Sequence, residues 1–255
     1  MNIISKLPGP LLVFFGAITL SFGGIIVKSF EGANLWQILF WRQIFFSITV
    51  VIYLLITYKK NFFKSFYNSG LPGFFGGLAL SVGFAAYVFA MYTTTVANTN
   101  FIITLETIFL ALFGYFFLKE KINTITLISI VLAMTGVLVM VGNSLTPGEL
   151  SGNLAAFTMP ITFAVLIMIV RKFPTVDMVP AQFVAGISSC LIGFLLSTKI
   201  MISPNDIFLG FLAGFFQVGF GFIFITIGAR TTPSAMVGII MLSESVLGPI
   251  WAFLF

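Results

Sequence analysis

Residues 11–30 of this chain read LLVFFGAITLSFGGIIVKSF, and residues 154–173 read LAAFTMPITFAVLIMIVRKF. Both stretches contain Ile-Thr at the same place, then Val followed by Lys or Arg, and then Phe two positions later. Each is apolar over a length that can cross the hydrocarbon of a bilayer as one helix. The correspondence predicts an internal repeat of membrane-spanning helices.

The repeat extends toward the second half of each unit. Glu106 aligns with Glu244 at an offset of 138 residues, and a run of threonines precedes each glutamate at the same offset. We predict two repeats, over residues 1–145 and 150–255. With five helices per repeat, the second must insert upside down relative to the first. Such inverted repeats are an architecture of secondary transporters, whose sites lie near the middle of the membrane between the repeats.

The alignment also predicts a longer natural protein. Glu106 is followed 14 residues later by Glu120 and then by a fifth helix, whereas the position equivalent to Glu120 in the second repeat would be 258, beyond the last residue. We therefore expect nine helices here and a tenth that is missing. The alternative is a genuine nine-helix protein.

The composition places the chain in a bilayer. Of 255 residues, 59% are apolar and only 7% are charged, whereas soluble domains carry about 25% charged residues. The expected fold is an all-α polytopic membrane protein, because lipid tolerates an apolar exterior. The predicted helices cover residues 11–27, 35–57, 71–92, 96–118, 122–142, 154–170, 178–198, 207–229 and 233–255.

The basic residues set the orientation. With a cytoplasmic N-terminus, the inner segments carry nine Lys and Arg residues and the outer loops carry only Lys28 and Lys199. Short cytoplasmic loops of membrane proteins are enriched in Lys and Arg. We expect an integral protein of a bacterial inner (plasma) membrane. Because such loops carry positive charge in any case, the net charge of +5 gives no reason to expect a nucleic-acid partner.

Several kinds of chemistry are excluded by what the sequence lacks. There is no histidine, so no His-based nucleophile pair and no His-ligated metal can form. No Gly-Lys dipeptide occurs, so there is no phosphate-binding loop of the ATPase type. The single cysteine, Cys190, cannot form an internal disulfide. We expect no cofactor, no metal and no enzymatic activity.

Three charged residues lie inside predicted spans: Arg42, Glu106 and Glu244. Charge within a membrane is costly and is by default assigned a function. Arg42 and Glu106 are predicted at similar depths, so they can pair if their helices touch, and a purely structural ion pair is the alternative. The repeat places Ile187 opposite Arg42, so Glu244 has no equivalent partner. It is expected to take up a proton, bind a cationic group, or bond to a helix backbone.

Uncharged polar residues at similar depth are secondary candidates for a wet central cavity. They are Gln43, Tyr87, Asn100, Gln182 and Gln217, together with Trp36 near the outer end of its helix. The alternative for the polar residues is interhelical hydrogen bonding that only holds helices together. For Trp36 the favoured alternative is a place in the interfacial aromatic belt.

The residues around the two glutamates resemble a known family. Leu105-Glu106-Thr107, which runs on to Lys119-Glu120, and Leu242-Ser243-Glu244-Ser245 resemble the fourth-helix motif of EamA-type transporters in the drug/metabolite transporter superfamily. The resemblance covers nearly the whole chain. Thr107 and Ser245 stand where the family usually has proline. The family implies ten helices in two inverted repeats, and transport of small metabolites, often outward.

The sequence therefore predicts a permease that moves a small polar metabolite by alternating access. The solute is expected to be amino acid-like or another small organic molecule, moved by its own gradient or by protons, with export favoured. An intramembrane enzyme and a lipid-translocating or structural membrane protein are the alternatives.

Overall fold

The computed structural model describes residues 7–142 and 150–254, and every regular element in them is helical. A 3₁₀ turn (Lys59–Asn61) joins α3 to α4, and a π-helical segment (Leu212–Phe220) joins α10 to α11. The α-helices are α1 (Gly9–Leu20), α2 (Gly23–Lys28), α3 (Leu35–Tyr58), α4 (Phe62–Thr93), α5 (Val96–Ile103), α6 (Glu106–Leu118), α7 (Thr124–Gly142), α8 (Leu150–Lys172), α9 (Val179–Leu196), α10 (Pro204–Phe211), α11 (Gly221–Ala229) and α12 (Ser234–Leu254).

The predicted all-α polytopic membrane fold is confirmed. Six helical stretches among the described residues are long and apolar enough to cross a membrane, and one of them, Leu35–Thr93, contains two predicted spans. Within that stretch the backbone of Gly70 has φ 53°, so the polypeptide bends there before Pro72. Glycine adopts this conformation at no steric cost. The prediction of a tenth helix concerns residues that the chain does not include, and it stays a prediction.

Three predicted spans are interrupted. The first divides between α1 and α2, the fourth divides between α5 and α6, and the eighth contains the π-helical segment. Such irregular backbone is tolerated at membrane depth where it is buried in protein or lines a cavity. At two of the interruptions a backbone oxygen accepts a bond from a side chain of another element: Leu20 accepts from Gln217, and Phe215 accepts from Thr49.

The helix ends carry local signals. Asn34 begins α3 with a reciprocal cap: its side chain accepts bonds from the backbone N–H groups of Trp36 and Gln37, and the Gln37 side chain accepts from the Asn34 N–H. Lys119 ends α6 in the left-handed conformation, with φ 56°. Ser203 begins α10, accepting a bond from the Asp206 N–H at 3.0 Å. Capping satisfies backbone groups that a helix leaves unpaired at its ends.

The helices pack around a central core. α3 packs on α9, α4 on α8 and α9, α1 on α11 and α12, and α6 on α8 and α12. An aromatic cluster of Phe46, Phe84, Phe163 and Phe222 lies at the centre, with edge-to-face contacts of 5.0–6.3 Å between ring centroids. Large apolar side chains such as Phe63, Phe116 and Leu132 are exposed. Such an exterior suits lipid.

Close packing of α3 on the π-helical segment depends on Gly214. A Cβ atom at this position would collide with the backbone oxygen of Arg42. We expect Gly214→Ala to lower the free energy of unfolding by about 1–3 kcal/mol, the usual cost of overpacking a core. The matched control is Gly136→Ala, because nothing lies within 4 Å of a Cβ there. Thermal unfolding in detergent measures both, and equal melting temperatures would contradict the prediction.

Candidate central cavity

A small cavity of about 30 Å³ lies at the centre of the bundle. It is lined by five of the residues predicted from the sequence and by apolar side chains around them. The predicted residues are Arg42, Tyr87, Glu106, Gln217 and Glu244, and the others are Leu20, Phe84, Ile103, Met159, Phe163, Val218, Phe222 and Met241. A volume of this size holds about one water molecule, so the helices are close together in this structure.

Arg42 is buried without a carboxylate partner. Its side chain is 2% exposed, and Nη2 donates to the backbone oxygen of Phe84 at 3.4 Å. The guanidinium carbon lies 5.7 Å from the ring centroid of Phe84 and 5.4 Å from that of Tyr87. The faces of aromatic rings attract cations, so these two rings offset part of the cost of burial. Nε has no hydrogen-bond partner, which leaves donor capacity for an anionic oxygen.

The ion pair that equal depth would allow between Arg42 and Glu106 is not formed. Among the described residues, the one ion pair within 4 Å joins Arg171 to Glu120. Arg42 and Glu106 line the same cavity, but the guanidinium is held on the aromatic rings instead. Equal depth allows such a pair but does not decide it, since depth alone does not fix the direction of a side chain.

The two glutamates, Glu106 and Glu244, line the same small cavity. Glu106 occupies the first position of α6, and it is 5% exposed. The N-terminus of a helix favours a negative charge, so the break between α5 and α6 gives this carboxylate a partial counter-charge. Neither carboxylate forms a side-chain hydrogen bond or ion pair among the described residues. Both can therefore accept a proton or a cationic group.

Gln217 and Tyr87 meet the break between α1 and α2. The Gln217 side chain, on the π-helical segment, donates from Nε2 to the backbone oxygen of Leu20 at 3.1 Å. A Cβ on Gly23 would lie 2.8 Å from that same nitrogen and 3.3 Å from the Tyr87 hydroxyl. Gly23 thus lets both polar side chains reach the cavity wall. The sequence predicted the two residues but not the helix interruptions that bring them together.

Four predicted residues lie away from the cavity. Gln182 donates to the backbone oxygen of Phe222 and to the hydroxyl of Thr226, so it joins α9 to α11. Gln43 is fully buried, and neither atom of its amide has a partner. Asn100 is partly buried on α5 and does not line the cavity. Trp36 lies in the first turn of α3.

Gln43 and Gln182 are both buried, but their substitution is expected to change the melting temperature in opposite directions. Replacing a buried amide that has no partner by an apolar side chain removes a desolvation cost of about 1–3 kcal/mol. We therefore expect Gln43→Leu to raise the melting temperature. Gln182→Leu removes two interhelical bonds, which are worth about 0.6–1.7 kcal/mol in membrane proteins, and is expected to lower it. A fall of similar size in both variants would contradict the assignment for Gln43.

Sequence reasoning missed the aromatic side chains that line the cavity, although the repeat contains a signal for them. Phe84 and Phe222 lie 138 residues apart, the same offset as Glu106 and Glu244, and both line the cavity. Ile103 and Met241 are related by the same offset and also line it. Applying the offset to every position near the two glutamates would have found these residues.

The fold and the cavity define a class of protein: an integral, all-helical membrane protein with charged groups buried at its centre. A model of the EamA-like transporter family matches residues 7–142. The chain belongs to this family and thus to the drug/metabolite transporter superfamily.

Proteins similar to this chain include one curated relative and one solved structure. An "Uncharacterized transporter" of Methanothermobacter thermautotrophicus (strain Delta H) is 27% identical over 179 residues, which cover 63% of this chain and half of that protein. A solved structure described only as "Crystal structure of protein" has a TM-score of 0.81 and 16% identity, covering 96% of this chain and 89% of the other. At that identity, the structural likeness establishes the fold alone.

Proposed function

We propose that the protein is a secondary transporter that moves a small polar metabolite by alternating access, in the direction of export. The observation that carries the proposal is the central cavity, where one arginine and two glutamates face the same space without pairing. Buried charges are normally paired or coordinate a ligand. A solute that supplies the missing counter-charges would therefore be bound at this place.

The charges indicate an amino acid-like solute. Arg42 has free donor capacity for a carboxylate, while Glu106 and Glu244 can accept an ammonium group or protons. The rings of Phe84, Phe163 and Phe222 add apolar contact for the side chain of the solute. Because the cavity has room for only about one water molecule, binding of a solute requires the surrounding helices to separate. A transporter that opens to one side at a time would do this in each cycle.

Helix contacts support the proposed inverted repeat. A two-fold axis that relates the repeats would exchange α4 with α11 and α8 with α1, and it would exchange α6 with α12. The contacts come in the pairs that such an axis generates: α4 with α8 and α1 with α11, and α6 with α8 and α1 with α12. The contact between α6 and α12 would lie on the axis itself, next to the cavity.

The orientation is part of the same proposal. A cytoplasmic N-terminus in the plasma (inner) membrane would place Lys119, Arg171 and Arg230 on the inner side, in line with the positive-inside rule. Labelling of a cavity cysteine from each side of the membrane also tests this, because it distinguishes the two ends of the bundle.

The proposed function is tested by counterflow. Purified protein in liposomes is loaded with a mixture of unlabelled amino acids and small organic acids, and the uptake of each labelled solute is then followed. Trans-stimulated uptake of one solute, lost when the liposomes contain no protein, is the expected result. Movement of fluorescent lipid with no uptake of any solute would overturn the proposal in favour of lipid translocation.

A further inference from the structure

The carboxylate of Glu120 joins the ends of several helices on the side opposite to the loop between α2 and α3. Its Oε1 accepts from Nε and Nη2 of Arg171, at the end of α8, at 2.8 and 2.7 Å. Its Oε2 accepts from the backbone N–H of Ser234, the first residue of α12, at 2.8 Å. Arg171 in turn donates from Nη1 to the backbone oxygen of Arg230, just after α11, at 3.0 Å.

Local sequence places Glu120 there. Lys119 takes the left-handed conformation, and the Glu120 N–H then donates back to the Gly114 oxygen at 3.0 Å. This reversal carries the side chain across the end of α6. A Cβ on Gly114 would lie 2.8 Å from Oε2 of Glu120, so the glycine leaves room for the carboxylate. The arrangement is held by the backbone and is not a chance surface contact.

The ion pair is sheltered. The side chains of Arg171 and Glu120 are 20% and 17% exposed. Exposed ion pairs contribute about 0–1 kcal/mol, because water competes for both charges. Here two bonds from one guanidinium hold one carboxylate oxygen, and a helix N-terminus holds the other. This sheltered pair is therefore more stable than an exposed one.

The Glu120 cluster (Glu120, Arg171, Arg230 and Ser234) joins the ends of helices that also form the central cavity. α6 carries Glu106, and α12 carries Glu244. α6 packs on both α8 and α12, so a movement of α6 away from either helix breaks bonds to Glu120. A polar cavity of about 320 Å³, lined in part by Asp177 and Arg230, adjoins the cluster. Water therefore already reaches this end.

We propose that Glu120 and Arg171 form a latch that closes one end of the transport path, and that this latch opens in each transport cycle. The inference rests on the proposed alternating access. The latch joins residues from the first repeat to residues from the second, so its opening separates the two units. It acts by positioning helices and does not touch the solute.

The test measures how fast a residue in the central cavity becomes accessible from each end. Met241→Cys is introduced into a Cys190→Ser background and reacted with a membrane-impermeant thiol reagent, in vesicles of either orientation and without substrate. We expect Glu120→Gln to raise the labelling rate from the latch end by about tenfold, a shift of typical size for coupled sites. Arg171→Lys, which keeps the charge but loses the two-pronged geometry, is expected to act in the same direction.

Lys172→Gln is the matched control, because it removes an exposed charge next to Arg171 and leaves the latch intact. Melting temperatures identify variants that are unfolded. If Glu120→Gln is one of them, the labelling rate of Arg171→Lys decides the test. Unchanged labelling in both latch variants, or equal increases from both ends, would overturn the latch. If the cavity cysteine of the protein with the unaltered latch reacts from neither end, alternating access itself fails.

Discussion

Arg42→Lys is expected to lower the uptake of a carboxylate-bearing solute by about 100-fold, equivalent to ~2.7 kcal/mol. Arg42 is fully buried among Phe84 and Tyr87, and its Nε has no partner in the protein. A planar guanidinium can remain on the rings while it donates two parallel bonds to a carboxylate. Lysine carries the same charge, but its ammonium group is a compact point charge without this geometry.

A pair of solutes provides the control for Arg42. The methyl ester of the same compound lacks the carboxylate, so the protein is expected to prefer the acid strongly and the Arg42→Lys variant is expected to lose most of that preference. Uptake is measured at equal amounts of folded protein, with melting temperature as the check. An equal loss for acid and ester would mean that Arg42 supports the fold and does not bind the solute.

The sequence predicted the charged centre because of physical cost. Arg42, Glu106 and Glu244 are rare in apolar spans, and a charge in lipid is expensive enough that it must turn inward. All three line one cavity. Rarity gives no information on partners, however. The contact of Arg42 with aromatic rings depends on side-chain packing, which cannot be predicted from hydropathy or from depth in the membrane.

The uncharged polar residues were harder to place. Successive residues point about 100° apart around a helix, so Arg42 lines the cavity while its neighbour Gln43 is buried between helices. An amide is not costly enough for its position alone to reveal its role. Gln217 lines the cavity and Gln182 binds helices together, although the two looked alike in the sequence.

The helix interruptions had no clear signal. Thr104 and Leu105 separate α5 from α6 without a proline or glycine between them, and these are the usual causes of a sharp kink. The partners of Trp251 show the same difficulty. Its ring stacks on that of Phe22 with the centroids 4.8 Å apart, and its Nε1 donates to the Ser21 hydroxyl at 2.8 Å. The break between α1 and α2 supplies these partners.

Substitution of the two cavity glutamates, Glu106 and Glu244, is also expected to cause a large loss of transport. Glu244→Gln is expected to lower transport of a solute with an ammonium group by about 10–100-fold, because losing one partner of a buried charged pair typically costs 2–5 kcal/mol and the remaining carboxylate recovers part of it. Glu106→Gln is expected to act in the same direction. Both glutamates line the same cavity, and the double variant keeps neither carboxylate, so it should lose more than the sum of the single losses.

Glu31→Gln is the matched control, since it removes an exposed carboxylate outside the cavity. The measurement is counterflow of the solute, with and without an imposed proton gradient. If protons occupy the glutamates during the cycle, the gradient accelerates transport by the protein and has no effect on Glu244→Gln. Additive losses in the double variant would show that the carboxylates act separately. Full transport by Glu244→Gln, with an unchanged response to the gradient, would assign this residue to the fold alone and leave Arg42 and Glu106 to bind the solute.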